Sequence, residues 1–234
     1  MTPSPGQAGS AVLAGATGQV GEGIAQFLLS QGWCVTAIGR SRSRLDDLSA
    51  RLGHPAGLLT AVATVTRTGC TLPAGAAGGH ALAVASLGGR SSGPPLTTLP
   101  VGDWYRIVDD GLTSHLLASR ALLPGIEAAG GGTYVMLNGT SARAPVRGHQ
   151  CPGPAPSASS RQPQLMPADA LAAEARSATV RSLLLNTPVP TRARPHGPPG
   201  WISASDVGRA VLALHREHGE QTTVTLRPAA ASPP

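Results

Sequence analysis

The sequence predicts an α/β protein: a Rossmann-type doubly wound parallel sheet with helices on both faces, in three layers. Three observations predict it. Short apolar runs alternate with amphipathic stretches from one end of the chain to the other. A glycine-spaced turn, Gly15-Ala16-Thr17-Gly18-Gln19-Val20-Gly21, separates the first apolar run from the first amphipathic stretch. The length, 234 residues, suits one sizeable domain with a well-covered core. The chain divides into a Pro/Gly/Ser-rich disordered lead over residues 1–10, one α/β domain over 11–228 and a Pro/Ala-rich tail over 229–234.

The elements follow in order. Ala11 to Gly15 reads as a buried first strand, and Val20 to Ser30 as a helix with Ile24, Phe27 and Leu28 on one face. Trp33 to Ile38 is the second strand. Arg44 to Leu52 is a helix whose Leu45, Leu48 and Leu52 share a face. Leu58 to Val65 is the third strand. Cys70 to Gly79 holds too much Gly for a firm helix and predicts a short turn or a degenerate helix. Ala81 to Leu87 is the fourth strand, followed by a Pro/Gly/Ser loop over Arg90 to Gly102. Asp103 is the expected N-cap of a long helix through about Ala128, which Pro124 kinks or ends early. Gly132 to Leu137 is the fifth strand, and Thr140 to Pro163, with five prolines, is irregular. Helix resumes near Pro167, a good first-turn position, and runs to about Ala178. Thr179 to Leu185 is the sixth strand, Ser205 caps a helix over Asp206 to Arg216, and Thr222 to Leu226 closes the sheet.

Composition narrows the function classes. A hydrophobic fraction of 41% with 13% charged residues suits a soluble globular protein, and no apolar run has membrane-spanning length. The first ten residues lack the basic-then-apolar order of a signal peptide. Cys34, Cys70 and Cys151 are odd in number and far apart, which indicates neither a disulfide framework nor a metal knuckle, and a reducing cytoplasm is expected. The charge of +6 and a pI near 10.5 raise the question of nucleic acid. However, all 18 basic residues are Arg, they scatter from Arg40 to Arg227 without a stripe, and aromatics make up only 3%. Neither an electrostatic track nor a stacking platform is present, so no nucleic-acid partner is expected.

The turn from Gly15 to Gly21 carries the clearest chemistry. Glycines at this spacing allow a tight turn, close backbone approach to a pyrophosphate and close helix–strand packing. The helix N-terminus then faces the phosphates with unclaimed N–H groups and a positive dipole. The residues expected at a dinucleotide are Gly15, Thr17, Gly18, Gln19, Val20 and Gly21. Past the second strand, Ala37-Ile38-Gly39-Arg40 offers no acid for a ribose diol. Arg40, backed by Arg42 and Arg44, suits a 2′-phosphate instead, so the expected cofactor is NADP(H).

On these residues the chain resembles the short-chain dehydrogenases/reductases over nearly its whole length. The resemblance rests on Gly15-x-x-Gly18-x-x-Gly21, Asp103-Trp104 opening the long helix, Leu122-Leu123-Pro124 near its end, Tyr134-Val135-Met136-Leu137, and Trp201-Ile202 before Asp206-Val207-Gly208. It implies a carbonyl or alcohol substrate, hydride chemistry supplied by the nicotinamide, and a proton passed by a Tyr. A Lys four residues after that Tyr, a Ser and an Asn support the transfer. Here the Tyr-x-x-x-Lys station falls within Pro156-Ser157-Ala158-Ser159-Ser160-Arg161, the Asn station at Gly111, and the Ser station near Asn138 to Ser141. The chain contains no Lys, and its two tyrosines, Tyr105 and Tyr134, lie elsewhere. The resemblance is therefore to an atypical member without the Ser-Tyr-Lys residues.

The remaining pocket collects Asn138, Thr140 and Ser141 after the fifth strand, His149 and Cys151 on the loop beyond, and Asn186 to Thr191 after the sixth. Thr191 stands where the resemblance implies a cofactor contact. Ser141, His149 and Ser157 are the expected catalytic residues; His149 alone titrates in a useful range. His115 on the long helix reads as a packing or interface residue. Three functions fit: an atypical NADP(H)-dependent oxidoreductase on a small carbonyl or alcohol, a non-redox cyclase, isomerase or dehydratase, and a non-catalytic NADP-sensing or partner-binding protein. The resemblance also implies pairing of subunits through the helices opening at Asp103 and Pro167. Pro163 and Pro167 shorten the second, so a homodimer is expected rather than a tetramer.

Overall fold

A computed structural model describes residues 8–66, 68–76, 78–88, 97–139, 165–190, 200–217 and 219–228. Seven strands form one sheet: β1 (Gly9–Ala14), β2 (Trp33–Gly39), β3 (Leu58–Val62), β6 (Leu82–Ala85), β7 (Gly132–Gly139), β8 (Ala178–Leu185) and β9 (Thr223–Leu226). Their order is β3-β2-β1-β6-β7-β8-β9, and every pairing is parallel. The helices are α1 (Gln19–Ser30), α2 (Arg42–Arg51), α3 (Val101–Val108), α4 (Ser114–Ala128), α5 (Leu165–Glu174) and α6 (Ala204–Arg216). The fold is the expected doubly wound parallel sheet.

Burial explains why continuous apolar runs became strands. A parallel strand covered on both faces has no solvent side, so alternate residues serve two cores. Ala11, Leu13, Val135 and Leu137 face one core with Ile24 and Leu28 of α1, Leu45 and Leu48 of α2, and Val207 and Val211 of α6. Val12, Ala14, Tyr134 and Met136 face the other, with Leu122 and Ile126 of α4 and Ala168 of α5. The switch in strand order falls between β1 and β6, where the chain leaves β1 in one direction and returns in the other.

Two glycines bring α1 and α6 together. A Cβ on Gly23 would sit 2.2 Å from the Ala204 Cβ, and one on Gly208 would sit 2.7 Å from the Phe27 Cβ. Arg209 lies over the Phe27 ring at 5.9 Å. α1, which carries the glycine turn at its start, is thereby clamped from behind.

Several boundaries differ from the sequence expectations. β1 begins at Gly9, two residues before the expected start of the first strand. The third strand stops at Val62, and Thr64–Val65 (β4) turns to pair antiparallel with Cys70–Thr71 (β5). Every residue of the run Leu58 to Val65 is apolar or β-branched, so its composition hides the break. The N-cap position of α3 is Pro100, and Asp103 stands in the first turn, paired with Arg106. Pro124 neither ends nor breaks α4, which continues to Ala128. α5 stops at Glu174, and Ala178 already belongs to β8. α6 is capped by Ser203 rather than Ser205: the Ser203 hydroxyl accepts the Asp206 N–H at 3.0 Å, and Asp206 accepts the Ser203 N–H at 3.1 Å. That is a reciprocal capping box, which Ser205 is too close to Asp206 to make.

Candidate functional site

All seven main-sheet strands run parallel, so their carboxyl ends share one edge, and the glycine turn lies on it at the switch point. Gly15 has φ of +82°, and a Cβ there would fall 2.1 Å from the Ser86 carbonyl oxygen. A Cβ on Gly21 would fall 2.3 Å from the Gly15 carbonyl oxygen. The turn closes with the Gly18 N–H donating to that same carbonyl at 3.0 Å. Gly18 is the N-cap of α1 and offers no side chain to the first-turn amides. Main-chain N–H groups of Gln19 and Val20 therefore head the helix without a side-chain acceptor, and Gln19 is exposed. This is a bare helix N-terminus next to a backbone stripped of Cβ atoms, a cradle that fits a pyrophosphate. Thr17 lies partly buried at the head of the cradle, its carbonyl 3.5 Å from Nη2 of Arg44.

The three arginines after β2 go separate ways. Arg42 donates to the Thr60 hydroxyl at 3.0 Å and lies 3.8 Å from Asp46. Arg44 turns toward the glycine turn, while Arg40 is exposed and makes no ion pair among the described residues. Glu22, in the first turn of α1, is held by Arg51 at 3.0 Å.

Farther along the edge, Asn138 is buried at the end of β7, and its side-chain N–H donates to the Ser182 hydroxyl of β8 at 2.9 Å. Its Oδ1 finds no partner among the described residues. Ser182 went unsingled in the sequence because it sits inside an apolar strand run; only the β7–β8 register reveals the pair. Beyond β8 the Thr187 hydroxyl accepts the Ile202 N–H at 2.9 Å, tying that turn to the entry of α6. Gly111, the Asn station of the resemblance, lies in a five-residue π-helical segment, Asp109–Thr113, joining α3 to α4. Such segments mark functional sites disproportionately often.

The two tyrosines sit in different settings. Tyr134 is fully buried among apolar side chains, its hydroxyl has no partner among the described residues, and burial pushes its pKa up. Tyr105 is exposed on α3. His115 is fully buried at the start of α4. Ser141, His149, Ser157 and Thr191, together with Thr140 and Cys151, lie outside the described residues. A separate hollow of about 390 Å³ opens at the opposite edge, lined by Arg181, Leu214, Glu217 and the approach to β9. Arg181 is already bonded there to the carbonyls of Gly219 and Gln221. The hollow is remote from the glycine turn and from the strand ends where this fold takes ligands.

Comparison with known proteins gives a consistent likeness. A solved serine dehydrogenase, in a closed form complexed with NADP+, superimposes with a TM-score of 0.75 at 21% identity, covering 95% of this chain and 96% of that one. A short-chain dehydrogenase/reductase from Serratia marcescens does so with a TM-score of 0.70 at 17% identity over 95% and 98%. The fold is that of the short-chain dehydrogenases/reductases. In sequence, an uncharacterized oxidoreductase of Staphylococcus epidermidis is 25% identical over 222 residues, covering 93% of this chain and 96% of the relative. No family model matches the chain. Among the described residues, no helix is long and apolar enough to cross a membrane.

Proposed function

We propose that the protein is an NADP(H)-binding oxidoreductase of the short-chain dehydrogenase/reductase type, with a non-standard proton relay and a small carbonyl or alcohol substrate. The glycine turn carries the reading: Gly15 and Gly21 occupy positions where a Cβ would meet backbone, and the helix they introduce has no side-chain cap. The NADP+ held by the structurally similar serine dehydrogenase and the description of the Staphylococcus relative as an oxidoreductase support it. The first-turn amides of α1 would take the pyrophosphate, and Arg40 the 2′-phosphate. When bound, the nicotinamide supplies the hydride chemistry.

On this reading the proton comes from another source than a Tyr-Lys pair, since the chain has no Lys. His149, Ser141, Ser157 or a water is assigned that task. His149 is the best proton donor among them, since a serine hydroxyl is a poor acid unless something activates it. General acid help is worth about two to four powers of ten in rate, so turnover should be slow unless one of these groups supplies it. The test is NADPH titration followed by cofactor oxidation across a panel of small carbonyls, with His149→Ala and Ser141→Ala compared separately. Turnover that neither change lowers would move the chemistry elsewhere in the pocket. The missing Tyr and Lys also favour a second reading, a cofactor-sensing protein, for which tight NADPH binding without turnover is the mark.

A further inference from the structure

Two polar side chains meet inside the sheet near its ligand edge. β7 ends at Gly139, so Asn138 stands one residue from the carboxyl end of that strand, on the face that Tyr134 and Met136 share with α4 and α5. It is only 3% exposed, and its Nδ2 donates to the Ser182 hydroxyl of β8 at 2.9 Å. Ser182 is fully buried. The sheet order β1-β6-β7 puts Asn138 two strands from the glycine turn, about 10 Å along the edge at the usual strand spacing. Arg40 lies on the other side of β1, directly after β2. On the dinucleotide reading, the adenosine half therefore runs over β2 and the nicotinamide half over β6 and β7.

The pair is satisfied at one end only. With Nδ2 turned to Ser182, Oδ1 faces another way, and it has no partner among the described residues. A buried carbonyl oxygen without a donor costs stability, whereas an apolar side chain of similar size carries no such cost. Joining β7 to β8 does not require the pair, because the two strands already run in parallel register from Gly132 beside Ala178 to Gly139 beside Leu185. The Ser182 hydroxyl fixes the amide, and a fixed amide with an open acceptor at the ligand edge suits a ligand that brings the donor.

We propose that Asn138 is a ligand-contacting residue: its open Oδ1 accepts a hydrogen bond from an uncharged N–H or O–H donor in the nicotinamide half of the site, and Ser182 is the positioning residue that holds the amide for it. Two groups carry such a donor there, the carboxamide of NADP(H) and the hydroxyl of an alcohol substrate. The proposal rests on the dinucleotide reading above.

The experiment compares the parent with Asn138→Leu, which removes the acceptor, and Ser182→Ala, which frees the amide. Affinities are read for NADP+ and for its 3-acetylpyridine analogue, in which a methyl group replaces the carboxamide nitrogen. If the carboxamide is the donor, the parent prefers NADP+ by roughly tenfold, Asn138→Leu loses that preference and Ser182→Ala lowers it. If the alcohol is the donor, the two cofactors bind alike in all three proteins. Oxidation across a panel of small alcohols then shows kcat/KM lowered by roughly tenfold in Asn138→Leu, with Ser182→Ala in between. The thermal midpoint of the ligand-free protein should hold or rise in Asn138→Leu. A lowered midpoint with binding and turnover unchanged makes the pair a plain tie between strands and overturns the proposal. So does a parent that binds NADP+ but matches Asn138→Leu in both arms. A parent that binds no NADP+ removes the dinucleotide reading, and the proposal with it. Should Asn138→Leu fail to fold, Ser182→Ala decides by the same two readouts: values equal to the parent's in both refute the proposal.

Discussion

At the scale of single residues, charge and burial each yield a measurable expectation. Arg40 is exposed at the end of β2, where a carboxylate would select a ribose diol and a guanidinium selects a phosphate. Arg40→Asp should weaken NADPH by about 1.5–3 kcal/mol, the worth of a charged hydrogen bond, and NADH far less. Equal affinity of the parent for NADPH and NADH in a fluorescence titration would refute the phosphate assignment. His115 makes a prediction of a different kind, because its pKa falls from 6.5 to about 4 on burial. Between those values the unfolded chain binds a proton that the folded chain does not, so stability rises with pH across that window. Acidification from pH 6.5 toward 4 should therefore cost on the order of 3 kcal/mol from this group alone. His80, buried just before β6, is shifted the same way by burial and adds to the slope. Urea titrations at successive pH values read the slope, and His115→Leu should flatten it; a slope equal in parent and variant would mean that His115 titrates normally in the folded protein.

Elements show where a sequence speaks plainly and where it does not. The strands were legible because burial on two faces demands runs such as Ala11 to Ala14 and Thr133 to Leu137 that no solvent-facing element would carry. The glycine turn was legible because its spacing and its strand-to-helix setting belong to one local motif. Boundaries set by caps were partly legible: Ser203-Ala204-Ser205-Asp206 contains the capping-box spacing, which belongs to Ser203. The break after Val62, the π-helical turn at Asp109–Thr113 and the Asn138–Ser182 pair were not, since each arises from contacts distant in sequence. The seam between α1 and α6 is of this kind too, and it can be tested. Gly23→Ala would gain up to about 1 kcal/mol of helix propensity and lose about 1–3 kcal/mol to overpacking against Ala204, a near balance. Gly23→Val adds branching without the propensity gain, so it should destabilise by at least about 2 kcal/mol. Because α1 also heads the cradle, NADPH affinity should fall with it. A Gly23→Val protein with parental denaturation midpoint would show that the helices separate without cost.

At the scale of the whole molecule, what the sheet leaves uncovered bears on assembly. The two cores account for both faces of the sheet, yet α3 shows Val101, Trp104 and Tyr105 to solvent at 66, 43 and 56% exposure, and α4 shows Leu116 at 45%. Val101, Trp104 and Tyr105 follow the spacing of one helical face, so they form a stripe rather than a scatter. Exposed aromatics grouped in this way are what interfaces between copies are built from, whereas single exposed apolar residues carry no such meaning. A two-fold pairing would set this stripe against its own copy, as closed dimers require. α5, the other helix expected to pair subunits, is only ten residues long, Leu165–Glu174, which leaves little for a second interface. The expected state in solution is therefore a dimer formed through α3 and the start of α4. Light scattering on the parent should give twice the chain mass, and Trp104→Glu combined with Leu116→Glu should give the monomer, with the fold intact by circular dichroism. A stable tetramer, or a dimer indifferent to both charges, would place the interface on another face of the molecule.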